Sequence, residues 1–293
     1  MRIIKLFLTN PTKGAKMSLS RAFLKKITIT LVSFFWINLS SAQGDPCLGK
    51  KVFAIETATA LESTKLLALI SPYQEVQNGG IKYYCGTFEN HPVLLMNTGI
   101  GKVYAAATTA SLINTYHPKF ILFVGIAGQL DSKLKYGDIV VGNEVYQVEH
   151  IDMSVKRTNH INPNSGLIYS SLLKPKNETL EFVKTFPTFK NFSVTYGRIA
   201  TTDTFPETKE LLKQILASNS SAVAMEDYSV IATCQLLNTD CLTIRAISDN
   251  PQKILQMKNV NEYHVGANER LSTAEHIAEY VKVFLEKWGQ TNN

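Results

Sequence analysis

Cysteine is scarce in this chain: 293 residues hold four, and no two stand at Cys-x-x-C spacing. Without that spacing there is no zinc signature, so neither a metal nor a cofactor is expected. Repeats, low-complexity tracts and Pro/Gly-rich linkers are absent too, and the body of the chain reads as one domain. Acidic residues are missing from residues 1–42, which carry seven Lys/Arg. Those seven account for the formal charge of +6. Beyond them 23 Lys/Arg face 24 Asp/Glu, a net charge of −1. Nucleic acid is therefore not an expected partner.

The basic stretch reads as a leader. Arg21, Lys25 and Lys26 precede the apolar run Ile27 to Leu39, and Ser40-Ser41-Ala42 offers small residues before Gln43. That order is a signal peptide's, with Met17 as a second candidate start. The run is short for a membrane span, so the mature chain is expected to have none, an uncleaved anchor being the alternative. The reading is a signal peptide over 1–42, a single domain over 43–293, and a secreted or periplasmic protein. Export permits disulfides. Cys47 and Cys85 are a candidate bridge. Cys234 falls on an apolar helix face and Cys241 at a strand start, where buried free thiols are expected.

What is present is regular alternation of strands and helices, at 45% hydrophobic and 18% charged residues. Strands are expected at Lys51–Ile55, Phe120–Val124, Gly137–Val145 and Ser193–Ala200, and a hairpin over Lys82–Phe88 and Pro92–Met96. Helices are expected from Glu62 to Ile70, from Glu178 to Thr185, from Glu207 to Ala217, and near the C-terminus through Ala274, Ile277, Val281 and Phe284. A further helix after Lys102 carries Val103, Ala106, Ala107, Ala110 and Ile113 on one expected core face. Asn97–Lys102 and Gly125-Ile126-Ala127-Gly128 read as tight glycine turns, either structural or able to cradle a phosphate. Neither matches a P-loop or a full G-x-G-x-x-G. Gln147–Pro175 reads as a long loop and Pro251–Val260 as irregular. The pattern predicts an α/β three-layer sandwich around a central mixed sheet.

One stretch concentrates the chemistry. Ala222–Met225 reads as a strand, Val230, Ile231, Cys234 and Leu237 mark a helix, and Cys241–Ile247 is a second strand ending in Ser248-Asp249. A right-handed crossover would lay these two strands parallel. Glu226 and Asp249 then both follow carboxyl ends of strands, where open α/β sheets bind ligands. Two carboxylates there suit acid/base work or hydroxyl binding. The alternative is that Glu226 only favours a helix N-terminus and Asp249 only caps a turn.

Three segments in order carry a resemblance. They are Thr98-Gly-Ile-Gly-Lys-Val, then Val124-Gly-Ile-Ala-Gly-Gln-Leu with Gly137-Asp-Ile-Val-Val, and finally Met225-Glu226 with Arg245-Ala-Ile-Ser-Asp249. Across roughly Lys51 to Trp288 the chain resembles the nucleoside phosphorylase/nucleosidase superfamily, above all its methylthioadenosine/S-adenosylhomocysteine nucleosidase branch. The resemblance implies hydrolysis of the N-glycosidic bond of a purine nucleoside. It implies Asp249 as the acid that protonates the purine N7, Glu62 as the base for water, and Glu226 as acceptor for the ribose hydroxyls. Met225, Ile126, Gly128 and Ser248 would line the substrate, Phe205 would stack on the purine, and Arg245 would order the water and carboxylates. It also implies a homodimer whose partner closes the site. The chain departs from the nucleosidase pattern twice: Ile126 stands where the family has Ser, and Ala224 where it has an acid.

Two other functions compete. A phosphorylase would use phosphate in place of water, but the residue types that hold phosphate there, Arg near position 123 and Ser at 126, are Phe123 and Ile126 in this chain. An exported storage or binding protein of the same fold would not require Glu62, Glu226 and Asp249 together.

Overall fold

The computed structural model describes residues 44–148, 160–161, 168–205, 207–257 and 267–291. The leader, most of the expected long loop after Val148, and Val260 lie outside the described residues. Asp45–Asn293 forms one compact unit.

In chain order the elements are β1 (Phe53–Thr57), α1 (Ala60–Leu69), β2 (Gln74–Asn78), β3 (Ile81–Phe88), β4 (His91–Asn97), α2 (Lys102–Tyr116), β5 (Phe120–Gln129) and β6 (Ile139–Gln147). Then follow β7 (His160–Ile161), β8 (Ile168–Tyr169), β9 (Leu172–Leu173), α3 (Asn177–Lys184), β10 (Val194–Thr201) and α4 (Lys209–Ala217). The chain continues with β11 (Ala222–Ala224), α5 (Asp227–Leu236), β12 (Cys241–Asp249), α6 (Pro251–Ile254) and α7 (Ala267–Thr291).

The main sheet runs β11-β10-β6-β12-β5-β1-β4-β3-β2, with β9 on the edge of β6. It is mixed: β1 lies parallel to both β4 and β5, whereas β6 runs antiparallel to β12. Buried on both faces, β1 has no polar alternation, as a central parallel strand should not. Ala54 joins the core under α2 and α5, while Phe53 and Ile55 join the core under α1, α3 and α7. These are the three layers of the expected sandwich. Aromatic rings pack the second core, with Phe53 stacked on Phe120 and Trp288 closing against both.

Four expectations need correction. First, β11 pairs with β5 antiparallel while β12 pairs with β5 parallel, so the two strands of the chemistry-rich stretch run in opposite senses. The sheet curls there: β11 also pairs with β10, and β5, β12, β6, β10 and β11 close into a ring. A crossover within an open sheet is not what α5 makes.

Second, Gly125–Gly128 is no turn but the second half of β5. Its glycines serve close approach instead. A Cβ at position 125 would meet Arg245 Nη1 at 2.3 Å and Glu62 Oε1 at 2.5 Å.

Third, α2 buries Ala105, Thr108, Thr109, Leu112, Ile113 and Tyr116, leaving Val103 and Ala107 exposed. The threonine hydroxyls satisfy themselves on the Tyr104 carbonyl and on Glu56, so polar residues take core positions.

Fourth, Cys234 and Cys241 are bridged, as are Cys47 and Cys85. Seven residues of separation bring the end of α5 and the start of β12 to a Cα–Cα distance of 6.2 Å, well within disulfide reach.

Smaller differences follow the same physics. β2 was not anticipated, its Gln-Glu-Val-Gln-Asn being mostly exposed on the sheet edge. The Gln147–Pro175 region contributes β7, β8 and β9, and Pro251 opens the short α6 at its first turn, capped by Asn250. Among the described residues no helix is long and apolar enough to cross a membrane.

Candidate active site

Each acidic residue singled out in the sequence is positioned by a different element. Glu62 is the third residue of α1, whose N-cap is Thr59. Its Oε2 accepts from the Thr59 amide at 2.7 Å and hydroxyl at 3.0 Å, the reach-back half of a capping box. Its Oε1 turns the other way and accepts from the Ile126 amide of β5 at 3.0 Å.

Glu226 links β11 to α5. Its Oε1 accepts from the Gly101 amide at 2.9 Å, and its Oε2 pairs with Arg245 Nη2 at 3.0 Å. Gly101 has φ of 92°, a backbone conformation that favours glycine, and this aims its N–H out of the turn ahead of α2. Burial pushes the Glu226 carboxyl above its ordinary value. Arg245 and the Gly101 amide pull against that rise, while Asp227 and Glu62 add to it.

Asp249 closes β12. Its Oδ2 accepts from the Ser248 hydroxyl at 2.8 Å, and its buried Oδ1 has no hydrogen-bond partner. Burial raises this carboxyl too, with Ser248 acting in the opposite sense. A buried carboxyl with one free oxygen and little cationic support favours the protonated form. Gly128, beside it on β5, leaves the room: a Cβ there would lie 2.9 Å from Asp249 Oδ1.

Arg245 sits in the middle of β12, 1% exposed. Its guanidinium lies over the Phe123 ring at 4.6 Å. Nε and Nη2 grip Asp227 through three contacts of 2.8–3.1 Å, and Nη1 donates to the Ile126 carbonyl at 3.2 Å. Burial works against its charge, but Asp227 and Glu226 more than offset that and hold it protonated.

These groups surround a cavity of about 190 Å³. Of the expected site residues, Glu62, Ile126, Gly128, Phe205, Met225, Glu226, Arg245 and Asp249 line it. Ser248 does not, and acts instead on Asp249 from behind. Phe205 and Ile126 are exposed by 52% and 38%, which places them at the mouth. Sequence reasoning missed the lining residues Ala58, Thr59, Ile100, Thr202 and Glu207. It also missed Asp227, which lies wholly buried behind the wall. An Arg flanked by Ile244 and Ala246 in a core strand was the available signal, since such a charge needs a buried partner. Among the described residues no cluster of His, Cys, Asp and Glu could hold a metal ion.

The arrangement brings to one cavity a carboxyl that burial raises, two further carboxyl groups anchored by hydrogen bonds, and exposed apolar side chains. A family model, the phosphorylase superfamily, matches residues 53–282. The chain belongs to that superfamily. Within it, the chain is 31% identical over 200 residues to an aminodeoxyfutalosine nucleosidase of Helicobacter pylori, covering 67% of this chain and 84% of the relative. It is 29% identical over 232 residues to a 5′-methylthioadenosine/S-adenosylhomocysteine nucleosidase of Buchnera aphidicola, covering 77% and 93%. Among solved structures, the Helicobacter pylori 5′-methylthioadenosine/S-adenosylhomocysteine nucleosidase superposes with a TM-score of 0.68 at 27% identity, covering 82% of this chain and 99% of that one. These relatives of the superfamily member described above are nucleosidases.

Proposed function

We propose that the protein hydrolyses the N-glycosidic bond of a purine nucleoside. The observation that carries this reading is the division of labour among three buried carboxyls around one cavity. Asp249, with Oδ1 unpartnered, is environmentally suited to keep a proton and give it to the purine N7. Glu226, fixed by an amide and a guanidinium, suits the ribose hydroxyls, with the Met225 backbone beside it. Glu62 keeps lone pairs for a water whose proton it takes as the water adds to the sugar carbon. The base leaves with the proton from Asp249, and the sugar leaves as the free sugar. Negative charge on Glu226 and Glu62 favours the cationic sugar of the transition state. Phe205 supplies a ring face for the base.

Water is favoured over phosphate by charge. Carboxyl side chains from Glu62, Glu207, Glu226 and Asp249 line the cavity, and its one guanidinium is already bound by Asp227, Glu226 and a carbonyl. Among the described lining residues, a phosphate dianion would meet no cation able to turn toward it. For the substrate, the apolar mouth of Ile100, Ile126 and Phe205 favours a nucleoside whose 5′ substituent is not a phosphate. Methylthioadenosine, S-adenosylhomocysteine and aminodeoxyfutalosine are the candidates. The test is product analysis with these and with inosine, with and without phosphate. Free base and free sugar at a phosphate-independent rate are expected. The corresponding sugar 1-phosphate (ribose 1-phosphate from inosine) would establish a phosphorylase, and no product at all a storage or binding protein.

The same reading extends to assembly and location. Ile100, which lines the cavity, and Val103 and Tyr104 in the first turn of α2 are exposed by 57%, 81% and 66%. A second copy covering this apolar strip makes a homodimer, checked by sedimentation of wild type and Val103→Glu. Export is supported by the two disulfides, which persist in oxidising compartments. N-terminal sequencing beginning near Gln43 is the expected result.

A further inference from the structure

Asp227 belongs to no part of the chemistry assigned so far. It is the first residue of α5, fully buried, and it does not line the cavity. A carboxylate taken wholly out of water is costly unless its partners are excellent. Here both oxygens face a single guanidinium: Oδ1 accepts from Arg245 Nε at 2.9 Å, and Oδ2 from Nη2 at 2.8 Å and Nε at 3.1 Å. The pair is side-on and bidentate, the geometry that fixes the plane of a guanidinium. Once that plane is fixed, Nη2 can reach Glu226 Oε2 and Nη1 the Ile126 carbonyl. Without Asp227, one carboxylate oxygen and one carbonyl would hold Arg245, and the fork could rotate.

Charge gives a second reason. Arg245 lines the cavity in which, on the function proposed above, a sugar develops positive charge. A bare guanidinium in a buried wall would oppose that charge. Asp227 cancels it from the far side and leaves Glu226 and Glu62 to face the sugar. The same charge acts to raise the Glu226 carboxyl, an effect that removing Asp227 would relieve.

We infer that Asp227 is a positioning residue that orients and neutralises Arg245, so that Glu226 presents fixed oxygens to the ribose. It touches no substrate and acts through Arg245 alone.

The test is a double-mutant cycle of Asp227→Asn and Arg245→Met, read as kcat, KM and thermal midpoint on whichever nucleoside the wild type cleaves. The expected result is a fall in kcat of about tenfold or more for Asp227→Asn, with KM within about threefold, as for an interaction felt mainly in the transition state. In the Arg245→Met background the same change should have almost no further effect. Additive losses, or a kcat within about threefold of wild type, would overturn the proposal. If Asp227→Asn does not fold, the pair is replaced by Asp227→Leu with Arg245→Met, since apolar substitutes for a buried ion pair commonly fold well. Restored folding with activity matching Arg245→Met alone supports action through Arg245, and a further loss refutes it. One readout needs no turnover: an infrared titration of Glu226, assigned with Glu226→Gln. Removing the Asp227 charge should lower the pH at which Glu226 ionises. An unmoved Glu226 would count against Asp227 even if no nucleoside is cleaved, and that second failure would instead refute the hydrolase reading.

Discussion

Gly128 and Asp249 stand opposite each other on β5 and β12, so close that a Cβ at 128 would lie 2.9 Å from Asp249 Oδ1 and 2.7 Å from Pro251 Cγ. The one unpartnered oxygen of the proposed acid therefore depends on a side chain that is absent. Gly128→Ala should push Asp249 or Pro251 aside while leaving the buried strand folded. A displacement near 1 Å at a reacting group costs about a hundredfold in rate. Activity should fall on that scale, with near-normal circular dichroism and a thermal midpoint only slightly lowered.

Asp249→Asn keeps shape and hydrogen-bonding capacity but removes the proton. General acid catalysis is typically worth about 10²–10⁴-fold, and kcat should fall within that range while KM changes far less. The pH profile gives an independent check. Burial raises the Asp249 carboxyl, so its proton persists to higher pH than an ordinary aspartate's and activity is lost as pH rises through that raised value. The alkaline limb should disappear in Asp249→Asn. Asn250, not Asp249, caps α6; if Asp249 only accepted the Ser248 hydrogen bond, Asn would serve about as well and kcat would stay within about a factor of three, far less than a lost general acid costs.

Glu56 predicts a stability effect away from the cavity. It is fully buried on β1, accepts from the Thr109 hydroxyl at 2.8 Å, and burial pushes its carboxyl to about 8 from an ordinary 4.5, with Thr109 pulling slightly back. Between those values the folded chain holds a proton that the unfolded chain has lost. Stability contributed by the neutral form therefore declines as pH rises from 4.5 through about 8. The decline by pH 7 should be on the order of 3 kcal/mol. Glu56→Gln should flatten this slope, measured by urea unfolding at several pH values. An unchanged slope would show that Glu56 ionises normally in the fold.

The Cys234–Cys241 bridge closes a small loop. Replacing both residues with Ala should cost roughly 2–3 kcal/mol by loss of the constraint on the unfolded chain. Reductant should lower the denaturant midpoint of the wild type and leave that of a variant lacking all four cysteines unmoved.

Most of the sheet and the helix positions were legible, because Phe120–Val124 is an apolar run, Cys241–Ile247 is a β-rich one, and helical runs follow Glu62 and Glu207. Glu226 and Asp249 were legible at the ends of two expected strands, whereas Glu62 was singled out only through the family resemblance. What failed did so for local reasons. Glycines at 125 and 128 look like turn punctuation, yet they thin a strand so that Arg245, Glu62 and Asp249 can approach it. The alanines at 106, 107 and 110 suggest a core face, yet Thr108 and Thr109 take the buried positions once their hydroxyls find partners inside. Asp227 resembles any acid that favours a helix N-terminus, and only the buried Arg245 behind it reveals a different use.

Glu62 is tied down twice, once to the Thr59 amide that begins α1 and once to the Ile126 amide of β5. Its carboxyl is therefore a structural fastener as well as the proposed base. Such a position cannot drift neutrally. Replacing Glu62 should also loosen a helix from a strand, whereas Asp249, with one oxygen tied to nothing, can change with less harm to the scaffold. Descendants of this chain that give up turnover but stay folded should therefore surrender Asp249 first and keep Glu62 longest.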